Sequence, residues 1–301
     1  MTVRVSILIP AYHERFFAAA LESALGQDFP SFEVVVCDDS PGKAIEAEVR
    51  GAEDPRARYV RNPQRRGFEG NFTECLRQAQ GELVKFLNDD DRLRPDCVVR
   101  LAAAFDEHPH LRLATSRRQV IDAEGTMRGD IAATHPVSFV PCITPGRELG
   151  NLVLMNGLNL IGEPSTVMFR RADVPLEGNL FTWGGRSYRC LADLSLWLRL
   201  LAKGTAYYDS AVLSEYRMHP GQEQRQGAVD CITERLHLVN EARRVGFLET
   251  PAQYMIALER IDALAKIWSA RPGVPDEDRA TLSELCASIA TSLAPHATEA
   301  G

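Results

Sequence analysis

Residues 83–91 read Leu-Val-Lys-Phe-Leu-Asn-Asp-Asp-Asp, a short apolar run that ends in three adjacent carboxylates. A run of this length and composition predicts a buried β-strand. Carboxylates crowded at its end repel one another, and burial opposes their ionisation unless a cation neutralises them. Mg²⁺ or Mn²⁺ bound by one or two carboxylates, waters and a diphosphate would meet that need. The alternative is a solvated acidic turn that caps the following helix.

The segments before this run alternate between two patterns. Apolar runs typical of strands occupy residues 3–9, 32–37 and 57–60, and amphipathic helical stretches lie between them. The alternation predicts an α/β fold, with a mainly parallel central sheet and helices on both faces. Ligands of such sheets bind at the carboxyl ends of the strands.

The second half of the chain is less regular. Residues 126–145 have no clear period and are expected to form loops, and residues 166–169 resemble a short strand. Residues 191–203 have the apolar spacing of a strong helix, with Asp193 in its first turn. Two short strand-like runs, 205–208 and 212–213, follow.

From about residue 229 only helical patterns remain. We therefore predict a main domain over residues 1–225 and a helical C-terminal extension over residues 226–301. The apolar stripes of these helices fit either packing on the main domain or the seam of a homodimer.

Charge excludes one class of partner. The chain has 301 residues, with 34 Lys and Arg against 41 Asp and Glu, and a formal charge of −7. This acidic balance argues against nucleic acid as a partner. No apolar stretch is long enough for a transmembrane segment, and the N-terminus does not resemble a signal peptide. We expect a cytoplasmic protein, with peripheral attachment to the inner face of the membrane left open.

The spacing of the cysteines does not predict a set of disulfides. The seven are scattered singly, without a C-x-x-C pair. We expect reduced, mostly buried thiols.

A second acidic pair, Asp38 and Asp39, ends the second strand-like run. Alone it fits an ordinary turn. In a parallel sheet it would lie beside the loop that follows the first strand, residues 10–14, which contains Tyr12. An aromatic ring beside a carboxylate that accepts a base N–H would suit a nucleoside.

Five segments in order, 5–12, 32–40, 86–91, 191–200 and 216–220, resemble the family 2 glycosyltransferases of the GT-A fold. The resemblance covers about residues 3–220. It implies transfer of a sugar from a nucleotide diphosphate donor, with inversion at the anomeric carbon.

The resemblance also implies roles for the residues at the donor end. Asp39 would hydrogen-bond the base, and Asp89 would face the ribose. The residues expected to line the nucleoside pocket are Pro10, Ala11, Tyr12 and Glu14.

At the reacting end, the resemblance implies a metal held by Asp90 and Asp91. His219 would be a further metal ligand or a diphosphate contact. Asp193 would be the general base, and its place at a helix N-terminus favours ionisation at neutral pH.

Two positions and one adjacent pair depart from the family pattern. Asn88 stands where the family commonly has an aspartate, and Ala192 replaces the first acid of the usual Glu-Asp pair. Arg65 and Arg66 lie in a segment whose sequence differs from that of many relatives. They fit either contacts with the diphosphate or an exposed basic pair.

Together these features predict a metal-dependent, inverting glycosyltransferase that uses Mn²⁺ or Mg²⁺. The donor would be a UDP- or dTDP-sugar, since the Asp39 contact suits a pyrimidine, and the acceptor would offer a hydroxyl. The setting would be bacterial glycan, glycoconjugate or secondary-metabolite biosynthesis. Two alternatives stay open: a sugar nucleotidyltransferase, or a relative that binds nucleotide sugars without catalysis.

Overall fold

The computed structural model describes residues 3–220 and 227–294. The strands are β1 (Val5–Ala11), β2 (Phe32–Asp38), β3 (Ala57–Arg61), β4 (Leu83–Phe86), β5 (Arg92–Leu93), β6 (Leu111–Ile121), β7 (Cys142–Pro145), β8 (Met168–Arg170), β9 (Thr182–Trp183), β10 (Arg186–Ser187) and β11 (Thr205–Arg217). The helices are α1 (Glu14–Leu25), α2 (Ala44–Gly51), α3 (Gly67–Gln78), α4 (Cys97–Glu107), α5 (Gly146–Asn156), α6 (Ala192–Leu201), α7 (Ala228–Arg244), α8 (Pro251–Ser269) and α9 (Asp276–Leu293).

A mixed sheet forms the centre of the molecule, in the order β3-β2-β1-β4-β8-β6-β11-β5, with β7 added along β11. The first four strands of this order are parallel, as are β6 and β11. Strand β8 runs antiparallel between β4 and β6. The predicted α/β class is confirmed.

Side chains of β1 alternate between the two faces of the sheet, and this explains why helices cover both faces. Ile7 and Ile9 pack with α1, α2 and α4 on one face, whereas Leu8 belongs to the core on the other face. Successive side chains of a strand point to opposite faces, so an uninterrupted apolar run is buried on both.

The second half differs from the sequence-based expectation in two strands. Strand β6 was not predicted, because Arg117 and Arg118 interrupt its apolar pattern. Strand β11 unites the two predicted short runs, and register shifts between Asp209 and Val212 explain the break in its pattern. Residues 126–145 are irregular as expected, except for a short helical turn at Ala132–Thr134 and β7.

Helices α7 to α9 pack on the main body. Leu238 and Phe247 are buried in the same hydrophobic core as Trp197 of α6. Of the two arrangements open from the sequence, the structure thus shows packing on the main domain. The predicted domain boundary near residue 225 lies outside the described residues.

One pair of cysteines departs from the expected reduced state. Cys190 and Cys231, which are 41 positions apart in sequence, form a disulfide with Cα atoms 5.3 Å apart. The expectation of reduced thiols is wrong for this pair, because the docking of α7 beside the start of α6 brings two distant cysteines together. The remaining five cysteines are free.

None of the helices within residues 3–220 and 227–294 is long and apolar enough to cross a membrane.

Candidate active site

The carboxyl ends of β1, β2 and β4 open into a cavity of about 430 Å³. Its far wall comes from the segment after α5, the start of α6, and α7. Of the residues predicted from the sequence, those that line it are Pro10, Tyr12, Asp39, Asp89, Asp90 and Asp193. Those that lie outside its lining are Ala11, Glu14, Asp91 and His219.

Asp89 joins the loops after β4 and β1. Its Oδ2 accepts hydrogen bonds from the backbone N–H groups of Tyr12 and His13, each at 2.7 Å. Burial raises the pKa of Asp89 to about 6, and these two hydrogen bonds oppose the rise. The contacts fix the Tyr12 backbone at the cavity edge.

Asp39 is held by the start of α3. Its carboxylate accepts hydrogen bonds from the N–H groups of Arg66 and Gly67, at 2.8 to 3.0 Å, and from the Asn62 amide at 2.9 Å. A carboxylate near the N-terminus of a helix is favoured by both hydrogen bonding and the helix dipole. Asp39 therefore anchors α3 to the sheet as well as facing the cavity.

The two arginines before α3 have different surroundings. The guanidinium of Arg65 lies 4.4 Å from the centre of the Tyr12 ring and lines the cavity. Arg66 forms an ion pair with Glu74 at 3.3 Å. Of the pair, Arg65 alone is part of the cavity lining.

Ala11 and Glu14 sit away from the cavity. Ala11 is fully buried within β1, where its carbonyl accepts the N–H of Asp39 at 2.9 Å. Glu14 is exposed at the start of α1. Of the residues that the resemblance places in the nucleoside pocket, Ala11 and Glu14 thus lie outside the cavity lining, whereas Pro10 and Tyr12 belong to it.

Asp90 and His219 are adjacent. The Asp90 Oδ2 lies 3.2 Å from the His219 Nε2, and the Asp90 carbonyl accepts a hydrogen bond from Arg217 at 2.7 Å. Burial, with the nearby His13, Arg15 and Arg217, lowers the pKa of His219. Neutral imidazole is the form that binds metals.

Asp91 turns away from Asp90 into the protein. It accepts hydrogen bonds from the Ser165 hydroxyl at 2.6 Å and from the Arg217 N–H at 2.9 Å. Burial, together with the charge of Asp90, raises the pKa of Asp91 well above its usual range. Within the described part of the chain, no three or more His, Cys, Asp or Glu side chains group as a metal site. Asp90 and His219 are two side chains of these types in contact.

Asp193 lies in the first turn of α6, as predicted. Its Oδ2 accepts a hydrogen bond from the Asn159 amide at 2.6 Å, and its Oδ1 accepts one from the Leu194 N–H at 2.7 Å. Burial and the charge of Glu163 raise the pKa of Asp193 to about 7, although Arg118 opposes the rise. The expectation from the helix N-terminus alone, full ionisation at neutral pH, is therefore corrected: burial outweighs the helix.

Sequence reasoning missed the residues around Asp193. Asn159 and Glu163 come from the irregular segment after α5, and Glu163 pairs with Arg118 at 2.6 Å. Arg235 of α7 also lines the cavity. The apolar spacing of Ile232, Leu236 and Val239 predicted a helix here, but it carried no signal that the helix would reach the cavity.

Fold and cavity together define an α/β enzyme that presents its carboxylates at the carboxyl edge of the sheet. A family model described as Glycosyl transferase family 2 matches residues 6–174, more than half of the chain. The chain belongs to this family, which confirms the predicted enzyme class and sets aside the sugar nucleotidyltransferase.

Two relatives in sequence match over most of this chain, and one of them is named a putative glycosyltransferase. The chain is 30% identical over 217 residues to the uncharacterized protein MT1568 of Mycobacterium tuberculosis, covering 71% of this chain and 66% of the relative. It is 24% identical over 214 residues to the putative glycosyltransferase EpsE of Bacillus subtilis, covering 68% and 69% of the two chains.

Among solved structures, TarS of S. aureus in complex with UDP-GlcNAc matches with a TM-score of 0.62 and 17% identity. The match covers 98% of this chain and 92% of that chain. At this identity the likeness shows the fold alone, and it confirms the predicted GT-A architecture with its helical C-terminal part.

Proposed function

We propose that this family 2 glycosyltransferase transfers a sugar, with inversion, from a UDP- or dTDP-sugar to an acceptor hydroxyl in a metal-dependent reaction. The setting would be bacterial glycan, glycoconjugate or secondary-metabolite biosynthesis. One observation carries the proposal: the cavity that holds Tyr12, Asp39 and Asp90 also holds Asp193, with a pKa near 7.

The donor nucleoside would bind at the end of the cavity formed by β1 and β2. The Tyr12 ring offers an aromatic face beside the Asp39 carboxylate, and Arg65 adds a cation on that ring. Asp89, beside the Tyr12 backbone, would receive the ribose hydroxyls. The UDP-GlcNAc complex of the structural neighbour supports a uridine donor.

The residues present fit a divalent cation at Asp90. Mg²⁺ and Mn²⁺ commonly take one or two protein ligands and complete their shell with water and phosphate oxygens. Asp90 and His219 would be those ligands, whereas the hydrogen bonds of Asp91 suit it to hold the loop in place. When bound, the cation would stabilise the negative charge on the departing diphosphate.

Asp193 would act as the base. Its carboxylate would take the proton from the acceptor hydroxyl while that oxygen forms a bond to the anomeric carbon. The bond from this carbon to the diphosphate oxygen breaks on the opposite face, and its electron pair leaves with the nucleoside diphosphate. One displacement from one face gives inversion. A base with a pKa near the working pH is effective in such a transfer.

Binding and turnover measured together test this proposal. With UDP and dTDP, Mn²⁺ should tighten nucleotide binding in calorimetry, and EDTA should reverse the effect. The variant Asp90→Asn should lose this metal-dependent part. Asp193→Asn should bind UDP within about twofold of wild type but lose transfer by about 10²- to 10⁴-fold, since the lost base touches only the acceptor.

Asp28→Asn is the matched control, because Asp28 is exposed and lies outside the cavity. It should match the wild type in both assays. Undiminished transfer by Asp193→Asn, or nucleotide binding indifferent to EDTA, would contradict the proposal.

A further inference from the structure

A residue of the helical C-terminal part reaches the cavity. Arg235 of α7 is half-buried and lines the cavity with Asp193. Two features hold α7 there: the disulfide between Cys190 and Cys231, and Glu234, which accepts the N–H groups of residues 189–191 at 2.9 to 3.0 Å. The position of Arg235 is thus coupled to the segment that leads directly into Asp193.

Among the described residues, Arg235 has no counter-charge. It makes no hydrogen bond or ion pair with any residue in the described ranges, whereas Arg118, on the same side of the cavity, pairs with Glu163 at 2.6 Å. Buried charges in proteins are normally paired. Burial and the nearby charge of Arg260 lower the pKa of Arg235, so the protein disfavours its cationic form and an anion would stabilise it.

The surroundings of Arg235 place it on the Asp193 side. The Nη1 atom of Arg235 lies beside Gly157. A Cβ atom added to this glycine would be 3.5 Å from Nη1. Two residues further along, Asn159 donates a hydrogen bond to Asp193 at 2.6 Å. The nucleoside end of the cavity is built from β1, β2 and α3 instead. Arg235 therefore faces the space where the acceptor hydroxyl would approach the base.

We propose that Arg235 forms an anion subsite that binds a phosphate group of the acceptor beside the base. This inference rests on the proposed function. A guanidinium offers paired N–H donors that match two phosphate oxygens, which gives direction as well as charge. The acceptor class would then be a phosphorylated sugar or polyol, and the subsite would orient its hydroxyl toward Asp193.

The test measures phosphate binding by the full chain with its nucleotide site filled. Wild-type protein saturated with UDP and Mn²⁺ is titrated with glycerol 1-phosphate and, separately, with glycerol. We expect glycerol 1-phosphate to bind at least about tenfold more tightly, and Arg235→Gln to remove this preference, because a charge-assisted hydrogen-bond pair is lost. Raising the salt concentration should weaken the preference.

The matched control is Arg243→Gln on the same helix. Arg243 packs over the Tyr254 ring at 3.9 Å, outside the cavity, so its variant should keep the preference. Circular dichroism confirms that each variant is folded.

Two results would overturn the inference. Wild-type protein that binds glycerol 1-phosphate no better than glycerol has no such subsite. If Arg235→Gln weakens UDP binding as much as phosphate binding, the arginine serves the donor diphosphate instead. Failure of wild-type protein to bind UDP or dTDP with Mn²⁺ would count against the proposed function, whereas normal nucleotide binding without a phosphate preference counts against this inference alone.

Discussion

Asp193 shows how the environment of one side chain sets its chemistry. The first turn of α6 favours the carboxylate, and so do the hydrogen bond from Leu194 and the charge of Arg118. Burial and Glu163 act in the opposite direction and prevail, since the pKa rises to about 7. A residue that would be a plain helix cap in water thus becomes suited to accept a proton at neutral pH.

This balance predicts the pH dependence of transfer. Asp193 is protonated below its raised pKa and cannot accept the hydroxyl proton, so kcat should rise as the pH rises through about 7 and then level off. The measurement is the rate at saturating donor and acceptor between pH 5 and 9.

The variant Glu163→Gln provides the comparison. It removes a charge that raises the Asp193 pKa and leaves Arg118, which lowers it, so the rise in kcat should move to lower pH. A rise that stays in place in Glu163→Gln, or a rate that falls between pH 6 and 8, would refute this account of Asp193.

At the scale of elements, α7 stabilises the segment before α6. Glu234 is buried, and its two carboxylate oxygens accept the N–H groups of three successive residues, Arg189, Cys190 and Leu191. Since an unsatisfied buried donor costs about 1–3 kcal/mol, this contact contributes to stability as well as to the position of Asp193.

We therefore expect Glu234→Gln to lower the free energy of unfolding by about 1–3 kcal/mol, because the new amide group cannot accept all three N–H groups. Urea denaturation measures the change. Glu241→Gln on the same helix is the control, since Glu241 pairs with the exposed Arg244, and a pair of this kind contributes at most about 1 kcal/mol. Equal stability of the two variants would show that Glu234 does not hold the segment.

For the whole molecule, the core continues from the sheet into the last helices. Phe247 is fully buried, and a Cβ on Gly150 of α5 would collide with its ring. Trp197 of α6 belongs to the same core. A shared core of this kind favours one cooperative unfolding transition over two.

Accordingly, Phe247→Ala should lower the stability of the whole chain by about 3–5 kcal/mol. Circular dichroism and the fluorescence of Trp197, measured in a Trp183→Phe, Trp268→Phe background, should give one shared urea midpoint that shifts in the variant. Ile256→Ala, at a half-exposed position on α8, should shift it far less. If Phe247→Ala lowered the helical signal at a urea concentration that leaves Trp197 unchanged, the C-terminal helices would be an independent unit.

The sequence predicts those structural features whose signal comes from residues close together along the chain. The strands β1, β2 and β4 are buried on both faces, so each reads as an apolar run, and the acidic residues at the ends of β2 and β4 are visible at once. Strand β6 was not predicted because Arg118, within it, is compatible with burial only through distant partners. These are the Glu163 carboxylate, 45 residues away, and the carbonyls of Ala133 and Asn159.

The sequence by itself determined the α/β order, the family and the position of Asp193 at a helix start, because each depends on residues close together along the chain. Only the tertiary structure decided that Asp91 turns inward, that Cys190 pairs with Cys231, and that Arg235 enters the cavity. It also decided the pKa of Asp193, since burial and the charge of a distant residue act through space, and no local pattern records which segments fold against each other.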